Sequence, residues 1–321
     1  MTACVLKSAA DLSSDTMKDF RQMKQRGEKI AALTAYDYPT ARLLDETGID
    51  IILVGDSLGM VVLGYRDTTP VTLEEMLHHT RAAARGIKQA LLVADMPIRT
   101  YDTPEKAIAT AKRFVDAGAQ AVKLEGGASH MAQIEAITQE GIPFMGHIGM
   151  LPQSVREEGG YRIKGRTQSE AEALLADARA VEKAGAFSVV LEIVFADVAR
   201  QITNAIGIPT IGIGSGEHCD GQILVTHDLI GLFPWFTPKF VSPEARVGEE
   251  IRRAARAFIE RTKSSSSTAD AFSEKTEKWT PPPTTRADRM RAAAVSHACA
   301  PLEPRSRQAT ARPRAGAPTT R

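Results

Sequence analysis

Cysteine is scarce in this sequence, and long apolar runs are missing from it. The 321 residues include three cysteines, Cys4, Cys219 and Cys299, an odd and scattered set with no metal-ligand spacing. Such a set argues against a disulfide framework and fits a reducing compartment. No apolar run approaches the roughly 20 residues that cross a bilayer, and Asp11 and Asp15 count against a transit peptide. We therefore expect a cytoplasmic protein that spans no membrane.

An excess of positive charge is missing from the first 262 residues, which carry 29 Lys and Arg against 34 Asp and Glu. Nucleic acid is not an expected partner, because surfaces that bind it are normally basic. Residues 263–321 are different: they carry 11 Lys and Arg against 5 Asp and Glu, are rich in Ser and Pro, and have almost no apolar period. This composition predicts a disordered tail. We favour a tail without an essential role. The alternative is a cationic arm that binds a partner.

A repeated alternation of short apolar runs and amphipathic segments fills the rest of the chain. Uninterrupted runs of Val, Ile and Leu are typical of parallel strands that are buried on both faces. The segments between them begin at caps such as Thr103-Pro104 and end at glycine, which predicts helices. The predicted strands cover residues 29–35, 49–54, 90–95, 119–125, 142–147, 187–194, 208–213 and, more weakly, 239–241.

Eight strand and helix pairs over about 235 residues match the size of a (βα)8 barrel. The competing doubly wound sheet normally has a Gly-x-Gly-x-x-Gly turn after its first strand, and residues 34–39 (Thr-Ala-Tyr-Asp-Tyr-Pro) contain no glycine. A short helix within 15–28, with Met17, Phe20 and Met23 on one face, should pack on the barrel. The sequence therefore predicts a flexible N-terminus (1–14), one α/β TIM-barrel domain (15–262) and the tail.

Titratable side chains stand at or near the ends of five predicted strands: Asp56, Asp95, Glu125, His147 and Glu192. A buried isolated charge is costly unless it is paired or binds a metal. In a (βα)8 barrel, catalytic groups lie at the carboxyl ends of the strands. The five residues therefore indicate one shared polar site on the same rim.

The acids Asp56, Asp95 and Glu125 offer only hard oxygen donors, a set that suits Mg2+ better than zinc. For any one of them alone, a structural cap or salt bridge is an equal alternative. Side chains two residues apart on a strand share a face, so Lys123 should point to the same mouth as Glu125.

His147 and Glu192 are the other two candidate site residues. His147 lies between Gly146 and Gly149, which indicates close approach of a ligand, although a lone histidine is more often a structural donor. Glu192 ends an apolar run, and desolvation should raise its pKa, as a general base for a C–H proton requires. A buried acid paired with an arginine is the alternative for Glu192.

Two glycine patterns indicate other chemistry only weakly. Gly55-Asp-Ser-Leu-Gly59 matches the Gly-x-Ser-x-Gly nucleophile elbow and the Gly-Asp-Ser-Leu string of an esterase family. An elbow needs an immediate strand, turn and helix, whereas residues 60–65 are predicted to continue as a loop and no Asp-x-x-His follows. Gly212-Ile-Gly-Ser-Gly216 resembles a phosphate-binding turn, but such short patterns are common.

Five segments together resemble the ketopantoate hydroxymethyltransferase family. They are Val54-Gly-Asp-Ser-Leu-Gly-Met60, Val93-Ala-Asp-Met-Pro97, Val122-Lys-Leu-Glu-Gly-Gly127, Gly146-His-Ile-Gly-Met-Leu-Pro-Gln153 and Cys219-Asp-Gly-Gln222. The resemblance covers residues 15–261, with Met150 where leucine is commoner. It implies a barrel of the phosphoenolpyruvate/pyruvate type, a homo-oligomer that in bacteria is often decameric, and the first committed step of pantothenate synthesis.

Matched motif by motif, the resemblance also implies roles for individual residues. Mg2+ would be bound by Asp56 and Asp95, with Glu125 supporting the metal shell. The 2-oxo acid would be held by Ser57, Lys123 and His147 together with the two aspartates, and Glu192 would be the base. The implied substrates are 3-methyl-2-oxobutanoate and 5,10-methylenetetrahydrofolate, whereas the residues alone indicate only metal-assisted enolisation.

Two other functions fit the same residues. A 2-oxo acid aldolase or C–C lyase on this barrel would keep the metal-binding acids, and a non-catalytic binding barrel would keep them without turnover. Fold alone does not separate these functions.

Overall fold

Alternating strands and helices make up the described part of the chain. The computed structural model describes residues 19–264. These residues belong to Met1–Glu277, the first of two units into which the chain divides, and the second unit is Lys278–Arg321. The predicted N-terminus (1–14), the second unit and nearly all of the predicted tail (263–321) lie outside the described residues. Within residues 19–264, no helix has the length and apolarity that crossing a membrane requires.

Strands and helices alternate along most of the chain. They are α1 (Phe20–Arg26), β1 (Ile30–Thr34), α2 (Tyr38–Asp45), β2 (Ile51–Val54), α3 (Leu58–Val61), α4 (Leu73–Ala84), β3 (Leu91–Asp95), α5 (Pro104–Asp116), β4 (Ala121–Lys123), α6 (Met131–Gln139), β5 (Phe144–Gly149), α7 (Gln168–Lys183), β6 (Ser188–Glu192), α8 (Ala196–Ala205), β7 (Thr210–Ile213), β8 (Gly221–Leu224), α9 (Thr226–Leu229) and α10 (Val247–Lys263). The exceptions to the alternation are that β8 follows β7 directly and that α3 with α4, and α9 with α10, are consecutive helices.

The eight strands form a closed barrel in sequence order, and every neighbouring pair is parallel. The predicted (βα)8 fold is confirmed. Because all strands run in the same direction, their carboxyl ends meet at one rim, where catalytic groups of this fold lie.

Alternate residues of each strand face opposite layers of the barrel. Ile51 and Leu53 of β2 belong to the interior cluster, whereas Ile52 and Val54 pack outward in the layer beneath the helices. Strands covered on both faces must be apolar at every position, which explains the uninterrupted Val, Ile and Leu runs in the sequence.

Helix α1 packs on the amino-terminal end of the barrel, as predicted. Its Phe20 is buried with the interior cluster, and the ring centroid lies 5.8 Å from that of Phe187. Lys24 Nζ donates to the carbonyls of Thr203 and Ile208, at 2.7 and 3.1 Å. The opposite rim is therefore the one that carries the titratable groups.

A buried carboxylate organises the entry to β3. Asp45, at the end of α2, accepts hydrogen bonds from the backbone N–H groups of Lys88, Gln89 and Ala90, at 3.0, 2.9 and 2.8 Å. The side chain is only 3% exposed, so no solvent replaces these bonds. Asp45 therefore holds the segment that aligns β3 beside β2.

The prediction of an eighth strand over residues 239–241 is wrong, because Gly221–Leu224 forms β8. A side chain at Gly221 would place its Cβ 2.4 Å from the carbonyl oxygen of Ile30, so β1 approaches too closely for any other residue. Glycine lowers strand propensity, and the run Gly-Gln-Ile-Leu has little apolar signal. Barrel closure, rather than local propensity, makes this segment a strand.

Candidate active site

Asp56 and Asp95 end neighbouring strands and share one buried pocket. Val54 of β2 pairs with Ala94 of β3, so the two acids leave the barrel at the same rim. Their residues are 5% and 2% exposed. Burial, together with the negative charge of Asp95, raises the pKa of Asp56 to about 7. Such repulsion requires that the two carboxylates lie close together.

Lys123 supplies the positive charge of the pocket. Its Nζ donates to Oδ2 of Asp95 at 2.6 Å, and both side chains are buried. Burial opposes the charged ammonium, but the carboxylates of Asp95, Glu125 and Asp56 outweigh it and raise the pKa of Lys123. Lys123 therefore stays charged. Oδ1 of Asp95 is buried without a hydrogen-bond partner.

Glu125 lies between the aspartates and His147. Its Oε2 accepts a hydrogen bond from the backbone N–H of Gln153 at 2.9 Å, and its Oε1 lies 3.7 Å from Nδ1 of His147. Burial raises the pKa of Glu125 well above its ordinary value, and the charge of Asp56 adds to the shift.

His147 and Glu192 face each other across β5 and β6. Nε2 of His147 lies 3.2 Å from Oε2 of Glu192, but neither ring nitrogen makes a well-directed hydrogen bond. Burial, helped by the charge of Lys123, lowers the pKa of His147, so its ring is neutral. Burial raises the pKa of Glu192 to about 7, against the opposing effect of Lys123. The expected desolvation of Glu192 is present, and its neighbour is a histidine rather than an arginine.

The glycines beside His147 make close contacts within the protein. A Cβ at Gly149 would lie 2.4 Å from the carbonyl oxygen of Glu192, and one at Gly146 would lie 2.4 Å from Cγ1 of Val181. The packing of β5 against β6 and α7 therefore already requires glycine at both positions.

Ser57 follows Asp56 directly, and its hydrogen-bond partner is not the one that a nucleophilic serine requires. Its Oγ is hydrogen-bonded to the hydroxyl of Tyr36 at 2.9 Å. The predicted loop over residues 60–65 is wrong at its start, because α3 (Leu58–Val61) follows the strand at once. The chain thus has the strand, turn and helix of a nucleophile elbow. A nucleophilic serine needs a histidine as its partner, whereas Ser57 is hydrogen-bonded to a tyrosine, and this partner argues against an esterase.

Ser215 of the Gly212–Gly216 turn is used inside the protein. Its Oγ accepts from the backbone N–H of Val194 at 2.9 Å and donates to the carbonyl of Leu191 at 2.7 Å. These bonds bracket Glu192 and Ile193, and Ile193 has a left-handed φ of 48°. A β-branched residue at positive φ is strained, so the turn helps to hold the end of β6 in place.

Gln153 and Tyr101 are two site residues to which the sequence assigned no role. The side chain of Gln153 donates to Oδ2 of Asp56 at 2.9 Å and to the carbonyl of Met96 at 3.0 Å. The hydroxyl of Tyr101 donates to Oε1 of Gln153. Gln153 lies on a short 3-10 helix, Pro152–Ser154, and not on a strand. In the sequence, the only signal for it was that it ends the Gly146–Gln153 segment that resembles the family.

The donor set fits Mg2+ through two carboxylates. Within residues 19–264, no group of three or more His, Cys, Asp or Glu side chains is arranged to hold a metal ion. Asp56, Asp95 and Glu125 thus do not form a three-ligand cluster. Mg2+ commonly takes one or two protein carboxylates and keeps several waters. The unpartnered Oδ1 of Asp95 and the exclusively oxygen donors of the two aspartates match that preference.

The class that the fold and site define is that of the (βα)8-barrel proteins with acids, a lysine and a neutral histidine buried at the carboxyl rim, the position where enzymes of this fold carry their catalytic groups. Comparison with known proteins makes the assignment narrower. The model of the ketopantoate hydroxymethyltransferase family matches residues 14–268, and the chain belongs to that family.

Two relatives agree with this assignment, and a solved structure shares the fold. The chain is 51% identical over 250 residues to the 3-methyl-2-oxobutanoate hydroxymethyltransferase of Syntrophus aciditrophicus, covering 77% of this chain and 92% of the relative. It is 52% identical over 246 residues to the enzyme of the same name from Dehalococcoides mccartyi, covering 76% and 87%. The phosphoenolpyruvate phosphomutase of Streptomyces platensis subsp. rosaceus shares the fold, with a TM-score of 0.54, 16% identity and coverage of 91% and 98%.

Proposed function

We propose that this enzyme transfers a hydroxymethyl group to C3 of 3-methyl-2-oxobutanoate and forms 2-dehydropantoate, the first committed step of pantothenate synthesis. The one-carbon donor would be 5,10-methylenetetrahydrofolate. Family membership and the names of the relatives support this reaction. The observation that carries it is the position of Glu192, a carboxyl with a pKa of about 7, on the same rim as Asp56 and Asp95.

Each proposed site residue has a separate task in this reaction. Glu192 takes the proton from C3, and its pKa suits a base that works near neutral pH. Lys123 brings a positive charge to the acidic substrate, while the neutral ring of His147 and the hydroxyl of Ser57 offer hydrogen-bond donors to its oxygens. Because these groups are buried, their charges and dipoles act at low dielectric, where they are strongest.

Mg2+ is the proposed cofactor, held by Asp56 and Asp95 with Glu125 supporting the metal shell. When bound, the ion would polarise the 2-oxo carbonyl and stabilise the negative charge that develops as C3 loses its proton. Glu125 already binds the N–H of Gln153, so we assign it to the support of the aspartates rather than to contact with the ion.

The proposed step balances without a redox partner. The C3–H bond breaks and its proton passes to Glu192. The electron pair of that bond forms the new C–C bond to the methylene carbon of the folate, while one of the two C–N bonds of that carbon breaks. Water then replaces the second nitrogen and supplies the hydroxyl group, and tetrahydrofolate leaves with two protons, one that came from C3 and one from water.

A homo-oligomer is proposed as the working assembly, with a decamer as the size that the family resemblance implies. Helix α10 leaves Ile251, Phe258 and Ile259 exposed, and apolar side chains grouped on one helix favour burial against another subunit. A cytoplasmic location is proposed because the three scattered cysteines fit a reducing compartment. Light scattering after size-exclusion chromatography measures the size of the assembly.

The test of the function is an assay for 2-dehydropantoate with purified protein, with and without Mg2+ and with and without 5,10-methylenetetrahydrofolate. We expect product only when both are present. Cleavage of a longer 2-oxo acid in place of hydroxymethyl transfer would instead identify a C–C lyase. Absence of both turnover and C3 proton exchange would leave a binding protein.

A further inference from the structure

We propose that Gln153 and Tyr101 are positioning residues that fix the carboxylate of Asp56 for divalent metal binding. The inference rests on the proposed function, since it concerns the metal that this function requires. The residues form a chain of hydrogen bonds that runs from the hydroxyl of Tyr101 through the amide of Gln153 to Oδ2 of Asp56.

The surroundings of Gln153 allow its amide only one orientation. The carbonyl oxygen of Met96 can only accept a hydrogen bond, and the carboxylate of Asp56 also accepts, so the NH2 group must face both of them. A flipped amide would bring its oxygen against two acceptors. Oε1 of Gln153 therefore faces Tyr101, and the tyrosine hydroxyl must donate to it.

Tyr101 is suited to hold this orientation. Its residue is 6% exposed, and burial, together with the negative charge of Glu125, raises its pKa, so the hydroxyl keeps its proton. Its ring lies edge-on to that of His130, with centroids 5.5 Å apart. The phenol therefore has a fixed direction as well as a permanent donor.

Gln153 also connects the two sides of the site through its backbone. Its N–H donates to Oε2 of Glu125 at 2.9 Å, while its side chain reaches Asp56, 97 positions earlier in the sequence. The 3-10 helix that carries it is closed by the bond from Ser154 N–H to the carbonyl of Leu151 at 2.9 Å. A single residue from the segment after β5 thus orients carboxylates that follow β2 and β4.

Loss of the amide should weaken metal binding more than it harms the fold. Without it, the carboxylate of Asp56 loses the bond that sets its direction and faces the charge of Asp95 without a local donor. Groups that orient metal ligands typically contribute about 10-fold to 100-fold to metal affinity. A purely structural role would lower the thermal midpoint and leave the metal affinity of the folded molecules unchanged.

The experiment measures Mg2+ binding directly, by titration calorimetry of the full chain in the presence of 3-methyl-2-oxobutanoate. For Gln153→Met we expect a dissociation constant about 10-fold to 100-fold higher than in the wild type. For Tyr101→Phe, which removes one neutral hydrogen bond, we expect an increase of about threefold to tenfold. In both variants kcat at saturating Mg2+ should change less than the metal requirement.

Tyr38→Phe is the matched control, because the hydroxyl of Tyr38 binds Arg42 on the exposed side of α2. Its metal affinity should equal that of the wild type. If Gln153→Met does not fold by circular dichroism, Tyr101→Phe decides the question alone. Unchanged Mg2+ affinity in a folded Tyr101→Phe variant would overturn the inference, whereas a wild-type protein that binds no Mg2+ would overturn the proposed function instead.

Discussion

Nε2 of His147 lies 3.2 Å from Oε2 of Glu192, yet neither ring nitrogen of the histidine makes a well-directed hydrogen bond. The two residues come from adjacent strands, and Gly149 pairs with Glu192 in the barrel. A neutral donor and a carboxyl with a raised pKa thus stand side by side at the carboxyl rim. This pairing suits the transfer of a proton from a carbon whose neighbouring oxygen accepts a hydrogen bond.

Replacing Glu192 by glutamine should abolish proton exchange at C3 of 3-methyl-2-oxobutanoate. The amide keeps the shape of the side chain but cannot take a proton, and loss of a general base typically costs about 100-fold to 10,000-fold in rate. Exchange is followed by NMR in deuterium oxide, and Mg2+-dependent binding of the substrate should persist. Glu172→Gln, on the exposed face of α7, is the control. Wild-type exchange in the Glu192 variant would remove its assignment as the base.

The exchange rate should depend on pH through Glu192. Only the ionised carboxylate can accept the proton, and burial raises the pKa of this group to about 7. Below that pH the rate should therefore fall about tenfold for each pH unit, and above it the rate should level off. A rate profile from pH 5 to pH 9 at saturating Mg2+ measures this. A plateau that already begins near pH 4.5 would mean that the base is an unperturbed carboxyl.

Removal of either aspartate should weaken the response to Mg2+. Asp56→Asn and Asp95→Asn each exchange a charged oxygen donor for a neutral one, and Asp95→Asn also takes the ionic partner from Lys123. We expect at least about a tenfold increase in the Mg2+ concentration that gives half-maximal activity. Asp102→Asn, which removes the charge from an exposed ion pair with Lys106, should behave as the wild type. Full wild-type activity after exhaustive chelation would contradict a metal site.

Asp45→Ala should lower stability without changing the chemistry of the site. The substitution leaves the backbone N–H groups of Lys88, Gln89 and Ala90 without their acceptor, and the N–H of Ala90 is buried. An unsatisfied buried donor costs about 1–3 kcal/mol, so we expect a loss of about 1–3 kcal/mol in the free energy of unfolding. Urea denaturation measures this loss. Activity per folded molecule should stay near that of the wild type, and an unchanged urea midpoint would show that solvent replaces the three bonds.

Local sequence patterns were enough to predict the barrel fold but not to locate β8, the strand that closes the barrel. Seven strands could be predicted from runs rich in Val, Ile, Leu and Ala, because helices cover one face of the barrel wall and the interior covers the other. β8 contains glycine because the backbone of β1 lies against it, and that contact exists only after the barrel closes. The short helix α3 was missed for a similar reason, since four residues show too little periodicity to read.

The acidic residues of the site could be predicted from the sequence, whereas the residues that orient them could not. Asp56, Asp95 and Glu192 stand at or near the ends of apolar strands. Burial of a charge there is energetically unfavourable unless the charge is paired or binds a metal, so these residues are recognisable as functional candidates from the sequence. Gln153 and Tyr101 lie in connections between strands and helices, where polar residues are ordinary. Their local sequence does not indicate the hydrogen bonds that link Tyr101 to Gln153 and Gln153 to Asp56.

The sequence by itself determined seven of the eight strands, the parallel arrangement that a (βα)8 barrel requires and the identity of the ionisable groups, because these follow from periodicity and from the cost of buried charge. Tertiary structure decided which of those groups touch. It set Lys123 against Asp95 and His147 against Glu192, and it brought the amide of Gln153 to Asp56 across 97 positions. The physical reason is that strand registration and loop packing, which depend on the whole closed barrel, fix these distances to within an ångström, and no local pattern carries that information.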